Sequence, residues 1–170
     1  MQGLLNSTAR RSPRVLGFTL VEVMVVVVII GLLAAMSLPA YRRITMRSKT
    51  AAVVSDLRSY STAFITYSLQ NGRYPPDAAP QEIPVGMAGA LANGFTLPSP
   101  IGGVYKWNYD VSADGVTAKA AIIIETAGGS TISDDADLRE MIDREMDDGN
   151  LSTGNVQLGS TQSLVFIIEK

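Results

Sequence analysis

Glu22 carries the most pointed chemistry in this 170-residue chain. It is a carboxylate about one helical turn inside a run that is apolar from Phe18 to Ala40. A charge near a bilayer interior costs about 2.5–3.5 kcal/mol on insertion scales, and such an acid usually marks function and has a partner. Elsewhere the composition removes more chemistry than it supplies. There is no histidine and no cysteine, which excludes a Ser-His-Asp triad, a Cys-His pair, every His-containing zinc site and any disulfide. Lys, Asp, Glu and Tyr chemistry remains open, but no catalytic constellation, phosphate loop, metal-ligand array or basic nucleic-acid surface stands out, and an enzyme is not expected. Trp107 and Tyr109 have two readings: a ligand platform, or aromatic residues at strand spacing that fill a core.

The element that must position Glu22 is the apolar run itself. At 1.5 Å per helical residue, positions 18–40 span roughly 35 Å, enough to cross a hydrocarbon core of about 30 Å. Arg10, Arg11 and Arg14 precede it, followed by the small residue Gly17. A secretory signal peptide has a shorter apolar core and ends at its small-residue site; here the core is long and the small residue comes first. A plain signal anchor explains the arginines and the length but not Glu22. Charge is unevenly placed: the net charge is −2, and without the three leader arginines it is −5. Arg42, Arg43, Arg47, Lys49 and Arg58 make a basic collar. Asp134, Asp135, Asp137, Asp143, Asp147 and Asp148 make the later chain acidic. The collar can attract the acids of neighbouring copies, or it can meet lipid head groups while the acids form a solvated face.

Gly17-Phe18-Thr19-Leu20-Val21-Glu22 resembles the cleavage and methylation motif of type IV prepilins and type II secretion pseudopilins. In that family a membrane-embedded aspartic peptidase cuts after the glycine and methylates the new amino terminus. The resemblance implies a cut between Gly17 and Phe18, N-methylation of Phe18, and Glu22 as the fifth residue of the mature chain. It covers Gly17 to roughly Tyr74 well and the remainder loosely. Gly31 and Pro39 are the soft points of the helix, since proline removes a hydrogen bond and crowds the carbonyl four residues back; the resemblance implies partial melting between such residues in filaments. Many relatives close a C-terminal loop with a disulfide, from which this chain departs.

In chain order, 1–17 is a polar, basic leader; it is long for the family, and a start codon downstream of Met1 would shorten it. Positions 18–70 read as one helix. Its first half is apolar all round, and its second half carries a stripe of Met46, Thr50, Val53, Leu57, Tyr60, Phe64 and Tyr67 at alternating spacings of four and three. That stripe suits a helix laid on a sheet better than a coiled coil. Asn71-Gly72 stops the helix and Pro75-Pro76 forbids its return. A long loop follows over 75–100, with a short helix over 84–93. Strands are expected over 104–111 and 116–125, joined at Asp114-Gly115. Ser133 or Asp134 is expected to cap a helix over 135–146, with Leu138, Met141, Ile142 and Met146 buried. A polar loop spans 147–154, and a closing strand, central in the sheet, spans 163–169.

The resulting fold class is α+β and pilin-like: a long N-terminal helix, transmembrane half plus amphipathic half, packed on a small antiparallel sheet. The domains are a leader (1–17), an assembly helix (18–40), a stalk helix (41–72) and a head (73–170). The resemblance implies a filament subunit, foremost a type II secretion pseudopilin acting mechanically as part of a piston. The alternative is a type IV pilus subunit serving adhesion, motility or DNA uptake; an alternative of another class is a membrane-anchored binding module. Implied partners are copies of itself, other pilins or pseudopilins, the prepilin peptidase, an inner-membrane assembly platform and lipid, with no nucleic acid expected. Implied localisation is the inner membrane with a periplasmic head, then a filament. In Glu22 the resemblance implies a partner for the amino group of Phe18 on an adjacent subunit. Type II major pseudopilins also bind calcium in a C-terminal loop. By type, Asp147, Asp148 and Asn150 offer oxygens for such an ion, although their spacing fits no EF-hand, and a solvated helix end explains them better; otherwise no cofactor is expected.

Overall fold

A computed structural model describes residues 17–91, 93–110, 112 and 114–170; of the leader expected over 1–17, all but Gly17 lies outside the described residues. Helix α1 (Leu20–Asn71) is followed by a 3-10 turn (Asn93–Thr96), strands β1 (Val104–Tyr109) and β2 (Ala120–Glu125), helix α2 (Ala136–Met146), and strands β3 (Val156–Leu158) and β4 (Leu164–Glu169). This is the α+β, pilin-like class expected from the sequence. The chain divides into two compact units, the first ending at Tyr41 and the second running from Arg42 to Lys170.

In the first unit, α1 is helical from Leu20 onward despite the β-branched run Val25–Ile30. Such residues propagate a helix poorly in water, but lipid offers the backbone no competing partner. Gly31 and Pro39 both lie inside unbroken helix. Every described residue from Gly17 to Tyr41 is exposed, and the helix is long and apolar enough to cross a membrane.

In the second unit, α1 buries Thr50, Val53, Leu57, Tyr60 and Phe64 from the stripe read from the sequence, and Val54 beside it, with Met46 and Tyr67 half-buried at the stripe's ends. The stripe meets a four-stranded antiparallel sheet of order β1-β2-β4-β3. Phe64 stacks on Trp107 at 3.7 Å between ring centres and 7° between planes. Tyr60 sets its ring edge-on to Tyr105 at 5.1 Å and to Phe95 at 5.2 Å. Ile122, Ile124, Val156 and Leu164 complete this core. The opposite sheet face holds a smaller cluster of Val116, Ala118, Ala121, Ile123, Val165 and Ile167. Both faces of β2 are therefore covered, which is why it reads AAIIIE without polar alternation. The closing strand β4 is central, between β2 and β3.

Several boundaries differ from expectation. The second strand begins at Ala120 rather than 116, because Val116 and Ala118 turn down onto the second sheet face instead of extending the ladder. The first strand ends at Tyr109, where Asp110 enters positive φ. The cap of α2 is Asp135, whose carboxylate accepts from the Leu138 amide at 3.2 Å, not Ser133 or Asp134. Along α2 the buried positions are Leu138, Arg139, Ile142 and Asp143, while Met141 and Met146 are only half-buried. The short helix expected over 84–93 is instead a series of turns ahead of the 3-10 segment. β3 was not expected at all.

Candidate functional site

Two places bring together residues with chemistry: the start of α1 and the loop after α2. At the first, Gly17, Phe18 and Thr19 precede the helix, and Thr19 is its cap. The Thr19 hydroxyl accepts from the Glu22 amide at 3.2 Å. Glu22 Oε2 accepts from the Thr19 amide at 3.0 Å and from its hydroxyl at 2.9 Å. This is a reciprocal capping box, which satisfies two of the backbone donors left over at a helix start, and it places the carboxylate at the positive end of the helix dipole. The sequence carries this signal in Thr19-Leu20-Val21-Glu22, a capping pattern that the cost of the acid in lipid and its implied role in assembly overshadow. Around it the surface is apolar, from Phe18 through Val28. Residues 17–19 are thus an exposed segment ending in a box that holds Glu22 in place.

The second place is the C-terminal end of α2. Oxygens of Asp143, Asp147 and Asp148 lie within 4.8 Å of one another. Asp147 and Asp148 are two of the three oxygen donors expected from the sequence. The third, Asn150, lies in the same loop, where its side-chain oxygen accepts from the Ser152 amide at 3.2 Å. Asp143 joins the two aspartates from one helical turn back. This is the residue that sequence reasoning missed, because it looked like an ordinary polar helix position. Asp143 is 0% exposed, and neither of its oxygens has a hydrogen-bond partner. Burial first, then the charges of Asp148 and Asp147, push its carboxyl up to about 6, against the opposing dipole of the Gly149 amide. Asp148 is held below the usual carboxylate range by the Thr153 hydroxyl and the Asn150 amide. Asp147 accepts from the Asn155 amide and lies so close to Gly154 (φ 75°) that a side chain there would collide with its carboxylate. The glycine is required by both sterics and backbone sign.

Three other sequence candidates resolve into structure. Trp107 is fully buried, with its indole donating to the Pro75 carbonyl at 3.0 Å; it is core, not a platform. Tyr109 is half-buried and packs on Tyr74. From the collar, Arg43 lines a crevice of about 260 Å³ with Met46, Asp137, Glu140 and Arg144, so acids of its own chain already face it. A fourth feature had no sequence signal. Asp114 sits at φ 51° in the turn before β2 and accepts from the Ser160 hydroxyl (2.7 Å), the Thr161 amide (3.1 Å) and hydroxyl (2.6 Å), and the Ser163 hydroxyl. Burial works against its charge, but those hydrogen bonds outweigh it and hold the carboxyl at about 2.

Comparison with known proteins points the same way as the N-terminal geometry. Residues 13–38 match the family model described as the prokaryotic N-terminal methylation motif. The chain is 33% identical over 102 residues to the type IV major pilin protein PilE1 of Neisseria gonorrhoeae, covering 60% of this chain and 55% of that protein. It is 30% identical over 116 residues to a fimbrial protein of Pseudomonas aeruginosa, covering 67% of this chain and 71% of that protein. Over 59 residues it is 46% identical to fimbrial protein Q of Moraxella bovis, covering 35% of this chain and 37% of that protein. The matched part spans about half the length of the Neisseria relatives.

Proposed function

The chain belongs to the type IV pilin family, and on that premise we propose that it is a subunit of a type IV pilus. The relatives are named as pilins and fimbrial proteins, which favours this over the secretion pseudopilin foremost in the sequence reading. A prepilin peptidase removes 1–17 by cutting between Gly17 and Phe18, then methylates the amino group of Phe18. Before assembly, 18–40 anchors the chain in the inner membrane with the later residues on the periplasmic side. During assembly that segment exchanges lipid for other copies of itself and for companion pilins at an inner-membrane platform. Gly31 and Pro39 let the helix loosen where packing demands it. The fibre serves adhesion, motility or DNA uptake.

The observation that carries this reading is a helix apolar and exposed on every face with one carboxylate near its start. In the uncut chain Glu22 is satisfied by Thr19. After cleavage, the amino group of Phe18 on a neighbouring subunit offers a charged partner, and charge-assisted hydrogen bonds are roughly twice as strong as neutral ones. In an apolar bundle that exchange lowers the cost of the acid and sets the axial register of the subunits. The membrane-anchored binding module loses support, because the aromatic residue it needs at a surface, Trp107, is buried. Mass spectrometry of the protein from its native host tests the proposal. The expected amino terminus is Phe18 carrying one methyl group; an intact leader or an unmethylated terminus on assembled protein would overturn it.

A further inference from the structure

We infer that Asn150 is an acceptor for N-linked glycosylation, the attachment of a saccharide to its side-chain amide nitrogen. Asn150-Leu151-Ser152 is an Asn-x-Ser triplet without proline, the acceptor signature of that modification. The chain has six asparagines. Asn6 also heads such a triplet, but it lies in the leader that cleavage after Gly17 removes. Two residues beyond Asn71, Asn93, Asn108 and Asn155 stand arginine, phenylalanine, aspartate and glutamine, so none of these carries the signature. After cleavage Asn150 is the one asparagine that does. Such transfer takes place on the outer side of the inner membrane, where the proposed function puts the residues after the membrane segment, so the assignment rests on that reading.

The fold presents the triplet as a substrate. Asn150 and Ser152 are exposed in the loop between α2 and β3, where a saccharide displaces no packed side chain. The Asn150 side-chain oxygen accepts from the Ser152 amide at 3.2 Å, which closes an Asx turn. That bond leaves Nδ2 without a partner among the described residues. An amide nitrogen is a poor nucleophile because its lone pair is delocalised into the carbonyl. A hydrogen bond on the carbonyl oxygen makes the N–H more acidic, so a carboxylate of the transferase can take one proton as the nitrogen attacks. The electrophile is the anomeric carbon of a saccharide carried on a lipid pyrophosphate. The C–N bond forms as the C–O bond breaks, and the pyrophosphate leaves with the electron pair. Two further groups offer themselves for recognition. The Ser152 hydroxyl has no partner among the described residues, whereas the next hydroxyl, of Thr153, donates to Asp148 at 2.7 Å. Asp148, two residues before the acceptor, is exposed and also accepts from the Asn150 amide at 2.8 Å. Its oxygens keep lone pairs for a basic side chain of the transferase. Carboxylate, amide and free hydroxyl thus come from one short, internally bonded turn.

The test uses the full chain purified from its native host. Trypsin cuts after Arg144 and next after Lys170, so Asn150 is released in peptide 145–170. Mass spectrometry, with fragmentation that preserves side-chain attachments, should find that peptide carrying a saccharide on Asn150. Asn150→Gln should lose the added mass completely. Ser152→Ala should lose it too, because it keeps the nucleophile and breaks only the signature, while Asn155→Gln should keep it. All three side chains are exposed, so the variants should unfold at the wild-type midpoint. A bare Asn150, a saccharide placed on a serine or threonine instead, or modification that survives Ser152→Ala would overturn the site. The amino terminus of the same sample separates this outcome from the reading beneath it. Methylated Phe18 together with a bare Asn150 overturns the glycosylation alone, whereas an intact leader overturns the pilin processing itself.

Discussion

Replacing Asp114 with asparagine should loosen the C-terminal end of the chain by a calculable amount. The carboxylate gathers four donors from Ser160, Thr161 and Ser163, and its backbone carbonyl takes a fifth from the Ser160 amide at 2.8 Å. Asparagine tolerates the positive φ of this position but turns one acceptor oxygen into a donor aimed at other donors. Holding the carboxyl at about 2 against its ordinary 3.8 corresponds to about 2.4 kcal/mol at neutral pH. The side chain is partly exposed, and screening trims this to about 1–2 kcal/mol. For a unit of this size the unfolding midpoint should fall by roughly 4–8 °C. The pH dependence has a definite sign. Because the folded-state value is depressed, the stabilisation is fully present above 3.8 and is lost as pH falls through about 2. The gap between wild type and Asp114→Asn should therefore be constant from pH 7 to 5, shrink below about 4, and close near 2. Thermal unfolding followed by near-ultraviolet circular dichroism of the buried Trp107 reads this directly. Asp143 titrates identically in both proteins and cancels in the difference. Equal midpoints at pH 7, or a gap that persists unchanged at pH 2, would refute the reasoning.

Phe64→Ala should cost about 3–5 kcal/mol in chemical denaturation, because it removes the ring stacked on Trp107 and leaves a void under the sheet. Gly154→Ala should destabilise by about 2 kcal/mol or more, combining the strain of φ 75° with collision against Asp147; a near-neutral result in the same assay would show that the 147–155 loop yields easily. Glu22→Ala should still enter the membrane and still be cut after Gly17, yet reduce the yield of sheared filaments roughly tenfold or more. Normal yield from that variant would remove Glu22 from assembly.

The long helix and its buried face were legible because periodicity is a global signal: Val53, Leu57, Tyr60 and Phe64 repeat over several turns, and no single substitution hides the pattern. The central place of β4 was legible from its apolar density. What escaped was short or non-local. β3 has three residues, too few to alternate. The turn of Val116 and Ala118 onto the second sheet face depends on Val165 and Ile167, some fifty positions away. Asp143 could not be singled out, since its burial comes from packing of α2 and not from any local pattern. Asp114 read as half of a hairpin turn, and nothing in its neighbourhood announces three hydroxyls arriving from 160–163. Thr19 is the opposite case: its capping partner was three residues away and in plain view.

Asp114 and Asp147 together explain how a cysteine-free chain holds its last fifty residues. A disulfide would act chiefly by restricting the unfolded chain, and its effect would not vary with pH. Here closure is made from the folded side, by carboxylates that collect backbone and hydroxyl donors: Asp114 fastens 160–163 just before β4, and Asp147 fastens Gly154 and Asn155 just before β3. Each clasp sits at the entrance to a strand, so losing one frees the start of that strand rather than the core. Stability of the two clasps should then be separable. Acid should release the Asp114 clasp near pH 2 while the aromatic core under α1 stays packed, whereas Gly154→Ala, which drives a side chain into Asp147, should loosen 147–155 at neutral pH and leave 160–163 untouched. Amide hydrogen exchange resolved by segment distinguishes these two outcomes. Simultaneous loss of protection in both segments under either treatment would mean that the clasps act as one cooperative unit.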